Sequence, residues 1–543
     1  MKRADFGIQY ETMEEQAGRV TAVCGVIFAL LLCAALSLPA TASAAPGDLS
    51  FVEAKFDGLG GIDGLDGASD AVVSPDGSHI YVASATDAAI SSFERDPVTG
   101  GLSFLGVSKD GLGGVDGLGG VRRLAISPDG KHVYAPGSSD DAVAIFLRGN
   151  NGLLSFVGCV EDSGSAAACD DQGGQIDGLD RALGAGVSPD GKHVYVAAEF
   201  DNAVTVFSRN QGTGALQFVG TQRQGVGGVD GLSGAVGVEV APDGGHVYSA
   251  SYGGSAVSVF SRNAQSGALS FLESHEDGVN GVDGLAGGDG PELSPDGRLL
   301  YATGDNDDSV AAFTRNPANG RLTFQGAVFD GVDGVDGLEG ATLIAISPDG
   351  KNLYAPGEFD SALAGFSINP ASGLLSFVEA FFDTDGGVPD GIGGAEGVAV
   401  SPDGANVYVP GRNDDGIAVF AREQDTTIDD TTIDGSVSAK KKQKQKGKKI
   451  IVKAKVTAGE DLDAKASGKI KVGKKSYKLK PQTKTVSSGS SKNLKLKPKK
   501  SKHAKKIAKK LKKGKRAKAK LTVKLSDEAG NKKTTKLSVK LKR

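Results

Sequence analysis

Long apolar runs are nearly absent from this 543-residue chain. Val20 to Leu38 is the one stretch that is long, apolar and uncharged, so no later segment is expected to cross a membrane as a helix. Sustained 3.6-residue periodicity is missing from the repeated runs that fill residues 46–422, which argues against helix there. Cysteine is scarce, at four residues, and histidine at six. Two of the cysteines, Cys24 and Cys33, fall in the apolar run. Cys159 and Cys169 have no histidine or further cysteine near them to complete a metal site, so a local disulfide is expected instead. The calcium loop of twelve residues between two helices is absent, as is the glycine-rich nonapeptide repeat.

What fills the chain is a seven-fold repeat. A Ser-Pro-Asp-Gly turn begins at Ser74, Ser127, Ser188, Ser294, Ser347 and Ser401, with Ala241 in the same place in the fourth copy; the steps are 53, 61, 53, 53, 53 and 54 residues. Each copy holds four short runs rich in Val, Tyr, Phe and Ser, separated by Gly, Asp and Asn, which is strand and turn chemistry. Four strands per repeat of this length predict the blade of a β-propeller. Seven residues into each copy stands a tyrosine, from Tyr81 to Tyr408, and further on a phenylalanine, from Phe93 to Phe420. One bulky ring per blade is expected to pack between blades. The last copy lacks a fourth strand, and Leu49 to Ala54 repeats Leu375 to Ala380 almost residue for residue. The N-terminal strand is therefore expected to complete the seventh blade and close the ring.

The net charge of −5 hides two opposed regions. Residues 1–435 carry 21 Lys/Arg and 61 Asp/Glu (−40), and residues 436–543 carry 40 and 5 (+35). The organisation read from this is a signal peptide or retained anchor over 1–45, a propeller over 46–422, a linker over 423–439 and a basic β-sandwich-like module over 440–543. Strands are expected at Ile450 to Thr457, Lys469 to Leu479, Lys518 to Leu525 and Thr534 to Leu541. A short helix is expected around Lys502 to Lys513, and a turn over Asp527 to Asn531. Either reading of the N-terminus places the remainder outside the cytoplasm, secreted or at the cell surface. Lysine without interleaved aromatics suits an anionic surface or matrix polymer, or the chain's own acidic propeller, and does not indicate nucleic acid. The propeller itself is expected to be a monomer.

Candidate chemistry lies on one face and in the channel. Antiparallel strands send alternate turns to opposite ends of a blade. One end collects an Asp eleven residues before each repeat turn: Asp63, Asp116, Asp177, Asp230, Asp283, Asp336 and Asp390. The loops between second and third strands add Asp87, Asp140, Asp201, Asp307, Asp360 and Asp414, with Gly254 as the exception. Carboxylates on glycine-rich loops suit calcium, but Asp-Gly is also plain turn chemistry. Four histidines, His79, His132, His193 and His246, share one repeat position and read as a structural slot; His275 alone breaks the repeat. In the channel, Glu239 and Glu292 share one height on adjacent blades, with Arg122, Arg123, Asp289 and Glu396 nearby, a pairing suited to acid–base work or to holding a cation.

The unit Ser188 to Val196, with Val-Phe-Ser-Arg-Asn and Gly-Ala-Leu following, resembles the seven-bladed lactonase-like propeller family and its YVTN-repeat relatives, over roughly residues 47–422. The resemblance implies the fold. For function it implies opening of 6-phosphogluconolactone or cyclisation of muconates. The family's histidine-rich channel motifs have no match on this chain, and its Gly-x-Asp-Gly-Leu loop lies outside the family pattern. Two readings follow: a non-enzymatic binding module with an acidic, calcium-bridged face, or a sugar-lactone hydrolase using Glu239 and Glu292.

Overall fold

The computed structural model describes residues 47–165, 169–384, 388–424, 435–445, 447, 449–458, 462–486, 491–526 and 532–543. The expected signal segment, most of the linker and the Asp527–Asn531 turn lie outside them. No helix among the described residues is long and apolar enough to cross a membrane. The chain falls into two compact units, 1–424 and 425–543.

The first unit is seven four-stranded antiparallel sheets. Blades 1 to 6 span residues 68–109, 125–161, 182–223, 235–276, 292–329 and 345–382. Blade 7 is built from Ala399–Val400, Asn406–Gly411 and Gly416–Arg422, and its outer strand is Leu49–Phe56, paired antiparallel with Gly416–Arg422. The ring closes through backbone hydrogen bonds, as the duplicated Leu-Ser-Phe-Val-Glu-Ala predicts. Each third-strand phenylalanine meets a phenylalanine of its own outer strand edge-on, Phe93 on Phe104 at 5.5 Å and Phe420 on Phe51 at 5.8 Å. It also packs on the blade before it: Phe93 shares a core with Tyr408, Ile417 and Val419.

The repeated tyrosine does more than pack. In blade 2, the Tyr134 hydroxyl donates to Gly214 O at 2.9 Å and accepts from Arg209 Nε at 2.7 Å. Arg209, at the end of blade 3's third strand, also donates to Gly191 O and Asp129, and meets His132 Nδ1 at 2.7 Å. The guanidinium is fully buried, and every nitrogen has a partner, which offsets the cost of removing a charge from water. Burial and the Arg209 charge hold His132 below the usual histidine range, so that it accepts from the arginine. Arg95, Arg148, Arg262, Arg315 and Arg422 make the same clamp on Tyr408, Tyr81, Tyr195, Tyr248 and Tyr354. The seventh junction has Ile368 in the arginine's register, and there the histidine slot holds Leu299. The structural slot is thus the imidazole or amide end of an inter-blade arginine clamp.

The long repeat carries the expected disulfide, Cys159–Cys169, with Cα atoms 5.0 Å apart. The second unit has a three-stranded and a six-stranded sheet around one core that includes Ile450, Val456, Ile470 and Leu521. Val452–Ala458, Ala517–Ser526, Lys532–Lys542 and the helix Ser501–Lys512 match expectation. The single strand expected at Lys469 to Leu479 is instead Leu462–Val472 turning back into Lys475–Lys478, because Gly473 takes a left-handed φ of 58° and reverses the chain. Outer lysines line up across strands: Lys471 faces Lys518, Lys518 faces Lys540, and Lys540 faces Lys442.

Candidate functional site

A propeller's innermost strand has no partner on its channel side, so its backbone is the first to leave the ladder. In blades 2, 5, 6 and 7 this strand is only two residues long: Ala125–Ile126, Glu292–Leu293, Ala345–Ile346 and Ala399–Val400. Single bridges at Val121, Gly288, Ala341 and Ala395 mark where pairing stops. Between bridge and strand the chain is free to present side chains at the channel mouth.

One register position there reads Ser69, Arg122, Leu183, Val236, Asp289, Thr342 and Glu396 around the ring, and all seven line a cavity of about 230 Å³. A second position reads Ala85, Ser138, Glu199, Tyr252, Asp305, Glu358 and Arg412; Glu199, Tyr252, Asp305 and Glu358 line the same cavity, with Arg123 and Arg181. No two copies agree at the first of these positions, whereas the tyrosine and phenylalanine positions never vary. Sequence reading placed Arg122, Arg123, Asp289 and Glu396 near one another, and the structure brings them together. It missed Arg181, Glu199, Asp305, Glu358 and Arg412, which a comparison of copies at fixed register reveals.

The charges are not all neutralised. Arg123 is locked, donating to Asp289 and to Val236 O. Arg412 is held by Glu396 at 2.6 Å and Glu358 at 3.4 Å. Arg122 has only a loose approach to Glu396, at 3.7 Å. Asp305 Oδ1 is buried with no hydrogen-bond partner. Burial raises the Asp305 carboxyl above its usual range, and the charge of Asp289 adds to the effect. Behind the cavity, Asp70 accepts from Leu124 N at 2.9 Å, and burial pushes it up to about 6.

Glu239 and Glu292 stand on the innermost strands of blades 4 and 5, partly exposed to the channel, and neither lines the cavity. Burial raises Glu239 to about 7, and burial plus the Glu239 charge raises Glu292 well above the carboxylate range. The two acids are electrostatically one pair. His275 lies on blade 4's outer strand, 3.2 Å from Glu273, and is removed from the cavity.

The aspartate ring behaves both as turn chemistry and as a ligand set. Gly64, after Asp63, has φ 93°, and a Cβ there would lie 2.4 Å from Val107 Cγ2, so the Asp-Gly pair is a backbone requirement. Yet Asp63, Asp116, Asp177 and Asp283 each converge with a strand two–three aspartate and with a third acid, Asp57, Asp110, Asp162 or Asp277, to within 4.8 Å. The third acids were missed, although they hold a constant place after each outer strand. At Asp230 the pattern lapses: Gln224 donates to it at 2.8 Å, and Gly254 replaces the second acid. Two triads hold a cation from the chain itself. Lys109 Nζ lies 2.8 Å from Asp63 and 2.9 Å from Asp87, and Arg223 reaches Asp177 at 2.8 Å and Asp201 at 2.9 Å.

A sequence model of the family described as "Lactonase, 7-bladed beta-propeller" matches residues 37–167, 185–335 and 337–437. A curated 6-phosphogluconolactonase of Klebsiella pneumoniae is 23% identical over 214 residues, 38% of this chain and 57% of that protein. The match therefore spans little more than half of that relative. Among solved structures, a putative 6-phosphogluconolactonase from Bacteroides fragilis is 23% identical, covering 58% of this chain and 84% of the other, with a TM-score of 0.46. The periplasmic gluconolactonase of Pseudomonas aeruginosa is 21% identical, covering 58% and 85%, with a TM-score of 0.47.

Proposed function

The chain belongs to the lactonase family of seven-bladed β-propellers, and from that premise we propose that it opens a small sugar lactone in the cavity at the channel mouth. The observation that carries this reading is the break in repeat symmetry. Seven near-identical blades diverge where their side chains meet in one cavity, and the divergent residues include three arginines and five acids. Sequence drift on an inert surface has no reason to converge on a cavity.

The chemistry follows from the groups. Asp305, with an unpartnered buried oxygen and a raised carboxyl, is the general base. It takes a proton from a water that attacks the lactone carbonyl. The ring C–O bond breaks, and the proton returns to the departing ring oxygen as a hydroxyl. Arg122, held by no tight partner, stabilises the charge that develops on the carbonyl oxygen. Glu239 and Glu292 lie outside the cavity lining and are the alternative base. Hydrolysis of a panel of sugar lactones by the full chain tests this. Asp305→Asn is expected to lower kcat by about 10²- to 10⁴-fold, while Glu239→Gln/Glu292→Gln retains turnover. The opposite result moves the base to the glutamates, and no turnover of any lactone by the parent protein sinks the enzymatic reading.

The cation-filled triads favour a second, binding role for the acidic face. Where Lys109 and Arg223 are missing, as around Asp110, Asp116 and Asp140 or Asp277, Asp283 and Asp307, three carboxylates offer calcium its oxygen ligands on an adaptable loop. The lysine rows of the second unit complement this with a surface for an anionic polymer. Calorimetric titration with calcium is expected to show binding that Asp116→Asn and Asp283→Asn reduce. Heat unchanged by those variants would return the aspartates to turn residues.

A further inference from the structure

Six of the seven copies place glycine two residues after the buried leucine or isoleucine of the Asp-Gly loop: Gly67, Gly120, Gly234, Gly287, Gly340 and Gly394. All six have φ between 63° and 72°, the left-handed region that side chains resist. The third copy has Arg181 there, with φ 54°. A long β-carbon side chain in this conformation is strained, and strain of this kind persists where the surroundings hold it for a purpose.

Two neighbours orient Arg181. Its Nε lies 3.0 Å from Glu199, and its guanidinium sits 4.8 Å over the Phe200 ring. The sixth copy carries the same pair, Glu358 and Phe359, but beside Gly340, and the other five carry Ala85, Ser138, Tyr252, Asp305 or Arg412 in place of the first; only the third copy sets an arginine against the pair. The aromatic face and the single carboxylate fix the plane of the guanidinium and leave both terminal nitrogens without a partner among the described residues. Arg181 lines the cavity with Arg122. A planar fork, pre-oriented and unspent, is the usual device for two-point recognition of a carboxylate or phosphate.

We infer that Arg181 is a specificity-determining residue that anchors an anionic group, carboxylate or phosphate, on the ligand of this cavity. The inference rests on the cavity being the ligand site, as proposed above, and does not require the ligand to be hydrolysed. In the third copy the repeat gave up its glycine, and with it an unstrained backbone, in exchange for this anchor.

Arg181→Gly restores the residue of the other six copies, so the variant is expected to fold and to melt at a higher temperature than the parent. Calorimetry on the full chain with glucarate and with inorganic phosphate separates the two anion chemistries. The parent is expected to bind one or both, and Arg181→Gly to bind about tenfold or more weakly. Glucono-1,5-lactone, which has no charge, is expected to show a smaller change in KM with Arg181→Gly than a lactone that bears the preferred anion. A lactone bearing the preferred anion is expected to show a raised KM at unchanged kcat. Anion binding unaltered by Arg181→Gly overturns the inference, as does a parent that binds neither anion. A lower melting temperature with unaltered binding would assign Arg181 to packing alone. Anion binding lost in the variant, with no lactone turned over by the parent, upholds the anchor and defeats only the hydrolase reading.

Discussion

The two ends of each blade obey different rules. At the end that carries the Ser-Pro-Asp-Gly turns, six of seven junctions hold the same buried arginine on the same tyrosine hydroxyl. At the channel mouth, one register position carries serine, arginine, leucine, valine, aspartate, threonine and glutamate in turn. The clamp end is constrained because an arginine buried without its partners is costly, so wherever the arginine stands the slot beside it holds a histidine or asparagine that accepts from it. The seventh junction makes the point: Ile368 replaces arginine, and Leu299 replaces histidine. The mouth is released from that constraint because its strands have left the ladder in four blades and are bulged at Ser69, Leu183 and Val236 in the other three, and it is there that a ligand site has room to form.

Breaking the clamp should give the largest effect on stability. Arg209→Leu takes a donor from Tyr134 and Gly191 O, while Asp129 keeps Ser127 Oγ and Lys131 N, and is expected to destabilise the propeller by about 1–3 kcal/mol. The shift in denaturation midpoint measures it, and lactone turnover at low temperature should survive. Equal loss at Ile368→Leu would show that the junction's worth lies in packing rather than in the arginine.

A smaller effect comes from the channel acids, and it sharpens the contrast through pH. Glu239 has a folded-state value of about 7, raised from 4.5 by burial. An acid held protonated by the fold favours folding below the unfolded value. As pH climbs from about 4.5 to about 7 the unfolded state releases this proton and the folded state does not, so stability falls over that window. Glu239→Gln is expected to flatten the decline, read as melting temperature against pH. An unchanged slope would mean that the channel solvates the pair.

The gentlest test fills the one unclamped junction. Leu299→His with Ile368→Arg rebuilds the histidine form of the clamp found at four of the other six junctions, and stability is expected to change by about 1 kcal/mol or less. Tyr301 already donates to Gly373 O at 2.7 Å, so only the acceptor side of its hydroxyl is gained. Marked destabilisation would show that this junction has repacked around its apolar pair.

Much of the fold was legible. The spacing of the turns gave seven blades, and the duplicated Leu49–Ala54 segment gave the closing strand. The lone eight-residue lengthening around Cys159 and Cys169 gave the disulfide. The histidine slot was visible as a slot, but its arginine was not. Arg209 lies 77 residues from His132, and nothing local to either reports the other. The basic module was half legible: alternation marked its long strands, while Gly473 was passed over as part of a strand because one glycine in an alternating run does not disturb the pattern.

Sequence alone determined what depends on local pattern and on repetition: strand, turn, blade number and the order of closure. Each follows from side-chain alternation and from turn residues a few positions apart. Tertiary structure decided which equivalent positions become neighbours. Ring closure turns a shared register, spread over more than three hundred residues, into one cavity where Arg122, Arg181, Asp305 and Glu396 meet. It also decided which of their charges stay unpaired, because pairing depends on distances across the channel that no single repeat contains.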